Sequence, residues 1–222
     1  MDFIFMLTRQ DRTVPDCLEV LGQIAPLGLT HIGFKDIGAD EPTLRNLNER
    51  IKAMGAQSYL EVVATSPEAA LNSARAAASI GVDHLLGGTQ VAETLAILQG
   101  TGVKYYPFPG TPIGHPTRLG GDAALIAAHT AAYTAQGCAG VDLLAYRAFE
   151  ADPIDLVKAA SAACGRSKKL ICAGGVDGPD RIAALRDAGA NAFTIGSAVF
   201  DEAFAPAKPG ISAQLQEILS CV

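Results

Sequence analysis

The sequence lacks an excess of positive charge: 17 Lys and Arg stand against 23 Asp and Glu, a formal net charge of -6, and no Lys/Arg cluster breaks that balance. Such a surface offers polyanions no attractive field, so nucleic acid is not an expected partner. A disulfide framework is missing as well. Cys17, Cys138, Cys164, Cys172 and Cys221 are odd in number, widely spaced and mostly set in apolar surroundings. They fit reduced core thiols in a cytoplasmic protein better than paired cystines or a zinc site. No apolar run is long enough to cross about 30 Å of hydrocarbon, and Met1 to Thr8 carries no positive leader region, so no membrane span or signal segment is expected. Metal motifs are absent too. Neither His-x-Asp nor His-Glu-x-x-His occurs among the four histidines, and His84 and His129 fall in a strand-like and a helix-like stretch, so no metal is expected.

What is present is globular: 49% hydrophobic residues, 18% charged residues and 23 glycines in 222 residues, which excludes intrinsic disorder. Eight short apolar and β-branched runs alternate with longer Ala- and Leu-rich stretches of helical character, the runs being 3–8, 29–36, 58–63, 82–88, 103–110, 140–147, 169–176 and 192–200. Before most runs stands a glycine, Gly28, Gly55, Gly81, Gly102, Gly137 or Gly189, with Gly165 a little further upstream of the seventh. These read as helix stops, where a left-handed residue ends the last turn. Helix starts appear at Thr65-Ser66-Pro67-Glu68, Asp152-Pro153 and Gly178-Pro179-Asp180.

Strand-helix units repeating every 27 residues or so, roughly, with strands apolar on both faces, predict an α/β chain folded as a single (β/α)8 TIM barrel domain spanning residues 1–222. An open doubly wound sheet is the alternative, although it usually has fewer units. In a barrel, ligands bind at the C-terminal ends of the strands, so chemistry is expected at those positions.

After the seventh and eighth runs lie Cys172-Ala173-Gly174-Gly175-Val176-Asp177 and Thr194-Ile195-Gly196-Ser197-Ala198-Val199-Phe200. Small residues at both places let backbone N–H groups approach an anion, so Gly174, Gly175, Gly196 and Ser197 are candidates for holding a phosphate. The bland alternative is that they only make tight strand-to-helix turns. Through these residues, and Asp180-Arg181-Ile182 to Ala188-Gly189-Ala190 between them, the chain resembles the phosphate-binding (β/α)8 barrels. That group includes ribulose-phosphate epimerase, sugar-phosphate decarboxylases, thiamine phosphate synthase and the histidine and tryptophan pathway isomerases. The resemblance implies a small phosphorylated ligand rather than a particular reaction. FMN-binding barrels share the double-glycine signal, so FMN is the one cofactor it leaves open; otherwise none is expected. The metal-binding strand ends of the epimerase and the Asp-x-Lys-x-x-Asp pattern of the orotidine-type decarboxylases are not matched, so neither activity is transferred.

Period two in the second run sends Ile32 and Phe34 to one face and Lys35 to the other, into the barrel mouth. Burial of that ammonium is expected to lower its pKa toward Schiff-base or proton-transfer chemistry, unless it only braces the barrel as an ion pair. Glu61 in the third run falls inward beside it as the natural partner. In the sixth run Asp142 and Tyr146 share a face and Arg147 sits at the exit, able to bind an anionic end or to form a surface salt bridge. The first loop offers Arg9 and Arg12 near the phosphate, or else solvated arginines with Asp11 and Thr13 capping the first helix. The longest irregular loop, residues 107–122, is expected to act as a lid or binding loop and carries His115, a proton carrier or an incidental histidine.

Lys35, Glu61, Asp142 and His115 are therefore the catalytic candidates, with Arg9, Tyr146 and Arg147 as further substrate-binding residues. The expectation is an isomerase or epimerase moving a proton next to a carbonyl of a sugar phosphate. A class I Schiff-base lyase using Lys35, and a non-catalytic phosphometabolite or flavin-phosphate binder, remain open. A homo-oligomer is open too, since the last helix, around residues 211–219, has an apolar stripe that suits either a partner or the barrel.

Overall fold

The structure, a computed structural model, describes residues 1–63 and 66–222. Among these residues eight parallel strands form the sheet: β1 (Asp2–Met6), β2 (His31–Lys35), β3 (Gln57–Glu61), β4 (His84–Leu86), β5 (Lys104–Tyr106), β6 (Gly140–Leu143), β7 (Lys169–Cys172) and β8 (Ala192–Ile195). Neighbours in sequence are neighbours in space, and β8 pairs with β1. Two backbone bonds close the ring between β5 and β6, from Ala139 N–H to the Tyr105 carbonyl (2.9 Å) and from Asp142 N–H to the Pro107 carbonyl (3.0 Å). The expected (β/α)8 barrel is the observed fold.

The strands are buried on both faces, and their alternation sorts two apolar sets. Ile32, Phe34, Leu60, Leu85 and Phe193 face the surrounding helices, whereas Ile4, Met6, Tyr59, Leu86, Tyr106, Ile171 and Ala192 fill the barrel interior. Burying one such large side chain contributes about 1.5–3 kcal/mol, so a one-residue register slip that exchanged the faces would be costly.

The helices are α1 (Cys17–Ile24), α2 (Glu41–Ala53), α3 (Pro67–Ile80), α4 (Val91–Leu98), α5 (Ala123–Ala135), α6 (Pro153–Cys164) and α7 (Pro179–Asp187), with the short α8 (Ser197–Phe200) and α9 (Ile211–Ser220) after β8. The seven glycines read as helix stops all have positive φ. At Gly81, φ of 77° lets its N–H close α3 on the Ala77 carbonyl. Ser66 and Asp152 cap α3 and α6 with their side chains, and Pro67, Pro153 and Pro179 open their helices. Thr65 lies outside the described residues.

Strands end earlier than the apolar runs because residues just past them, among them Leu7, Val62, Phe108 and Leu144, stay buried without extending a ladder. Apolarity reports burial, not pairing. Residues 107–122 are not irregular throughout, as was expected of them. They contain an antiparallel hairpin, Thr111–Ile113 with Arg118–Gly120. It is tied to the loop after β6 by Phe149 N–H on the Leu119 carbonyl (3.3 Å), Gly121 N–H on Glu150 (2.7 Å) and the Arg118 guanidinium 4.2 Å over the Phe149 ring. The apolar stripe of α9 packs on the chain itself through Leu215 and Ile218. Among the described residues no helix is long and apolar enough to cross a membrane.

Candidate active site

Lys35 and Glu61 are the last residues of β2 and β3 and lie opposite each other in register. Because Phe34 and Leu60 face the helices, both charged side chains point into the barrel mouth, 5% and 6% exposed. Lys35 Nζ is 3.4 Å from Glu61 Oε1 and 2.7 Å from Asp11 Oδ1. The same Asp11 carboxylate takes two bonds from Arg147, at 2.9 and 3.2 Å.

Asp11 reaches this position because the first loop is a tight hairpin, Thr8–Arg9 with Arg12–Thr13. Its two central residues, Gln10 and Asp11, have φ of 51° and 58°, the left-handed pair that matches strand twist in a two-residue turn. Thr13 locks the hairpin to β2: its hydroxyl donates to the Lys35 carbonyl and accepts from the Lys35 N–H, both at 2.8 Å. Asp11 and Thr13 therefore do not cap the first helix. That helix starts at Cys17, preceded by Asp16.

Two cations and two carboxylates form a closed, partly buried network, as desolvated charges require. Burial acts to lower the Lys35 pKa, but Glu61 and Asp11 outweigh it and hold the ammonium above its ordinary value. The expected downward shift is thus corrected: burial was legible, the two carboxylates were not. Burial works against the Asp11 carboxylate, yet bonds from Arg147 and the Lys35 charge hold it well below the usual carboxylate range. Asp142 lies inside the barrel, fully buried, and neither carboxyl oxygen has a hydrogen-bond partner among the described residues. Burial, then the Glu61 charge, raise its pKa far above the ordinary value. It does not line the mouth with Glu61.

Gly174 and Gly175, at φ of 75° and 74°, turn the chain after β7. A methyl on Gly174 would overlap the Arg147 guanidinium, and one on Gly175 would come 2.8 Å from Tyr146 Cβ. On β8's end, a methyl on Gly196 would lie 2.6 Å from Thr8 Oγ1. Among the described residues nothing in the protein accepts from the N–H groups of Gly174, Gly175, Gly196 or Ala198. These glycine turns, Ser197 and the Lys35–Glu61–Asp11–Arg147 network line one cleft of about 280 Å³. Asp177 shares it, but its carboxylate pairs with Arg181 at 3.1 Å.

Besides Asp142, three expected residues are not brought to this cleft. Arg9 turns outward to Asp201 (2.7 Å). His115 is exposed at the tip of the 111–120 hairpin. Tyr146 does not share a face with Asp142, because β6 ends at Leu143 and a 3-10 turn over Ala145–Arg147 rotates it away. Its Cβ instead lies against Gly175, with the Arg181 guanidinium 4.6 Å from the ring centre.

No family model and no curated protein matches the chain. Solved structures do resemble it. The native KDPGal structure has a TM-score of 0.69 at 16% identity, covering 100% of this chain and 96% of that one. Orotidine 5'-phosphate decarboxylase from Pyrococcus horikoshii OT3 follows at 0.67 and 12%, covering 99% and 98%. A candidate deoxyribose-phosphate aldolase from Coccidioides immitis gives 0.67 at 11%, covering 90% and 81%. At these identities the likeness establishes the barrel architecture.

Proposed function

We propose that this barrel is an enzyme acting on a small phosphorylated metabolite, a sugar phosphate, by moving a proton next to a carbonyl without a cofactor. One observation carries the reading: unpartnered backbone amides and a buried Lys–Glu pair line the same 280 Å³ cleft. That cleft lies at the strand ends where barrels bind ligands. The solved structures it resembles include proteins named for phosphorylated compounds, which supports the ligand class.

The amides of Gly174, Gly175, Gly196 and Ala198 donate to the phosphate oxygens and fix the substrate. Lys35, kept protonated by its carboxylates, faces the carbonyl oxygen and stabilises the negative charge that develops there. Glu61 takes the proton from the adjacent carbon and returns it to the substrate, so no net proton is gained or lost. Arg147 and Asp11 hold Lys35 in place. Asp142, buried in the barrel interior, has its carboxyl pKa raised by burial and by the Glu61 charge.

The proximity of two carboxylates able to relay a proton from Lys35 favours a second reading, a lyase in which the deprotonated amine forms a Schiff base. Borohydride with keto phosphates separates the two: a covalent adduct on Lys35 supports the lyase and its absence the isomerase. The ligand class is tested by titrating inorganic phosphate calorimetrically. Wild type should bind and Gly196→Ala should not, and equal binding by both would overturn the assignment. Lys35→Met should keep phosphate binding while losing turnover of any sugar phosphate found by screening. Unchanged turnover would refute its role.

A further inference from the structure

Beside the charged cleft lies a second one of about 240 Å³, on the same mouth, formed by Val63 after β3, the β4–α4 and β5–α5 connections and α5. Among the described residues its lining contains no Asp, Glu, Lys or Arg, in contrast to the four network charges next door. Phe108, buried, supplies an apolar wall, and Thr89, Gln90, Thr117, His129 and Tyr133 supply hydrogen-bonding groups. Several of these are only partly used. Gly110 N–H donates to His129 Nδ1 (3.1 Å), so Nδ1 is the acceptor and Nε2 is left as a donor with no partner among the described residues. Gln90 spends one N–H on Thr89 Oγ1 (2.9 Å), and its carbonyl oxygen takes no bond among the described residues.

The two clefts meet at one hydrogen bond. Arg147 lines the first, Thr117 lines the second, and the Arg147 guanidinium donates to the Thr117 carbonyl at 3.3 Å. We infer that the second cleft is a subsite for an uncharged, hydroxylated tail of the substrate, reached across the Arg147–Thr117 contact. An aromatic wall with amide, hydroxyl and imidazole groups matches a chain of CH–OH units, C–H faces on the ring and hydroxyls on the polar rim. A charged end would find no counter-ion there.

The inference rests on the first cleft holding the phosphate, so the experiment reads both. Inorganic phosphate, glycerol 3-phosphate and ribitol 5-phosphate are titrated against wild type, Gln90→Leu and Tyr133→Trp. In wild type the five-carbon compound should bind on the order of tenfold tighter than glycerol 3-phosphate, as two or so extra net hydrogen bonds give. Both variants should erase that gain while leaving inorganic phosphate unaffected, which also shows that they are folded. Equal affinity for the two alcohol phosphates in wild type, or a gain that survives both variants, would overturn the subsite alone. If no phosphate compound binds wild type, the phosphate reading and the subsite fall together.

Discussion

Asp11 offers the sharpest test of the charge network, because Asp11→Asn keeps the side chain's size while removing the carboxylate that touches both Lys35 and Arg147. After the change Lys35, 5% exposed, keeps only Glu61 at 3.4 Å among the described residues, and Arg147 keeps the Thr117 carbonyl at 3.3 Å. Stripping one partner from a fully buried pair costs about 3–5 kcal/mol. Arg147 is partly solvated, and screening discounts its share, so a loss of about 2–3 kcal/mol at pH 7 is expected. For a chain of this length each kcal/mol moves Tm by about 2–4 °C, so the melting point should fall by about 5–10 °C.

The pH dependence has a definite sign. Asp11's folded-state pKa is held well below its ordinary value, against burial, by the Arg147 bonds and the Lys35 charge. Its contribution is therefore complete above the unfolded carboxylate pKa of about 3.9 and fades as pH falls through the folded value. Urea unfolding at pH 7, 5, 4 and 3 should show a gap between wild type and variant that stays level to about pH 5 and narrows below about pH 4. Lys35 loses one of the two carboxylates raising its pKa, so its amine should also react faster with an acylating reagent at pH 9. Equal stability at pH 7, or a gap that widens in acid, would refute the network as described.

His84, stacked 4.2 Å from Tyr59 and pushed down to about 3 chiefly by burial, protonates in the unfolded chain first. Stability should thus fall by about 2 kcal/mol from pH 7 to pH 5 through this residue, the fall should vanish in His84→Gln, and an NMR titration showing His84 charged at pH 5 would contradict it. Gly140→Ala places a methyl on the Lys169 backbone and should cost more than about 3 kcal/mol. Gly22→Ala, exposed in α1 with nothing within 4 Å, should gain up to about 1 kcal/mol, and the two denaturation midpoints check the contrast. Leu119→Ala removes the buried anchor of the 111–120 hairpin, should cost about 2–4 kcal/mol, and should expose Arg118 to trypsin while wild type resists.

The barrel was legible because alternation and helix stops are local properties. Lys35 and Glu61 were placed correctly by period two alone, since Phe34 and Leu60 declare which face meets the helices. The same rule failed at Tyr146, where no Gly or Pro between Leu143 and Tyr146 announces that β6 has given way to a 3-10 turn. It also failed for residues 107–122, whose prolines and glycines read as irregular although the segment pairs as a hairpin.

Asp11 was missed for a different reason. A two-residue turn with both residues at positive φ usually declares itself through Asn or Gly, and here Gln10 and Asp11 occupy it. Without that cue the loop offered two exposed arginines and an apparent helix cap. The residue's importance comes from distance in sequence: its bonds to Arg147 span 136 positions and exist only because the barrel closes. The pKa of Lys35 inherits this property. Burial of a lysine follows from strand pattern, and burial alone argues for a lowered value. The direction is reversed by carboxylates on a neighbouring strand and on a loop, so it follows from the closed ring and not from any window of sequence. A side chain's position can be local information, whereas its protonation state in a polar core is set by whichever charges the fold assembles around it.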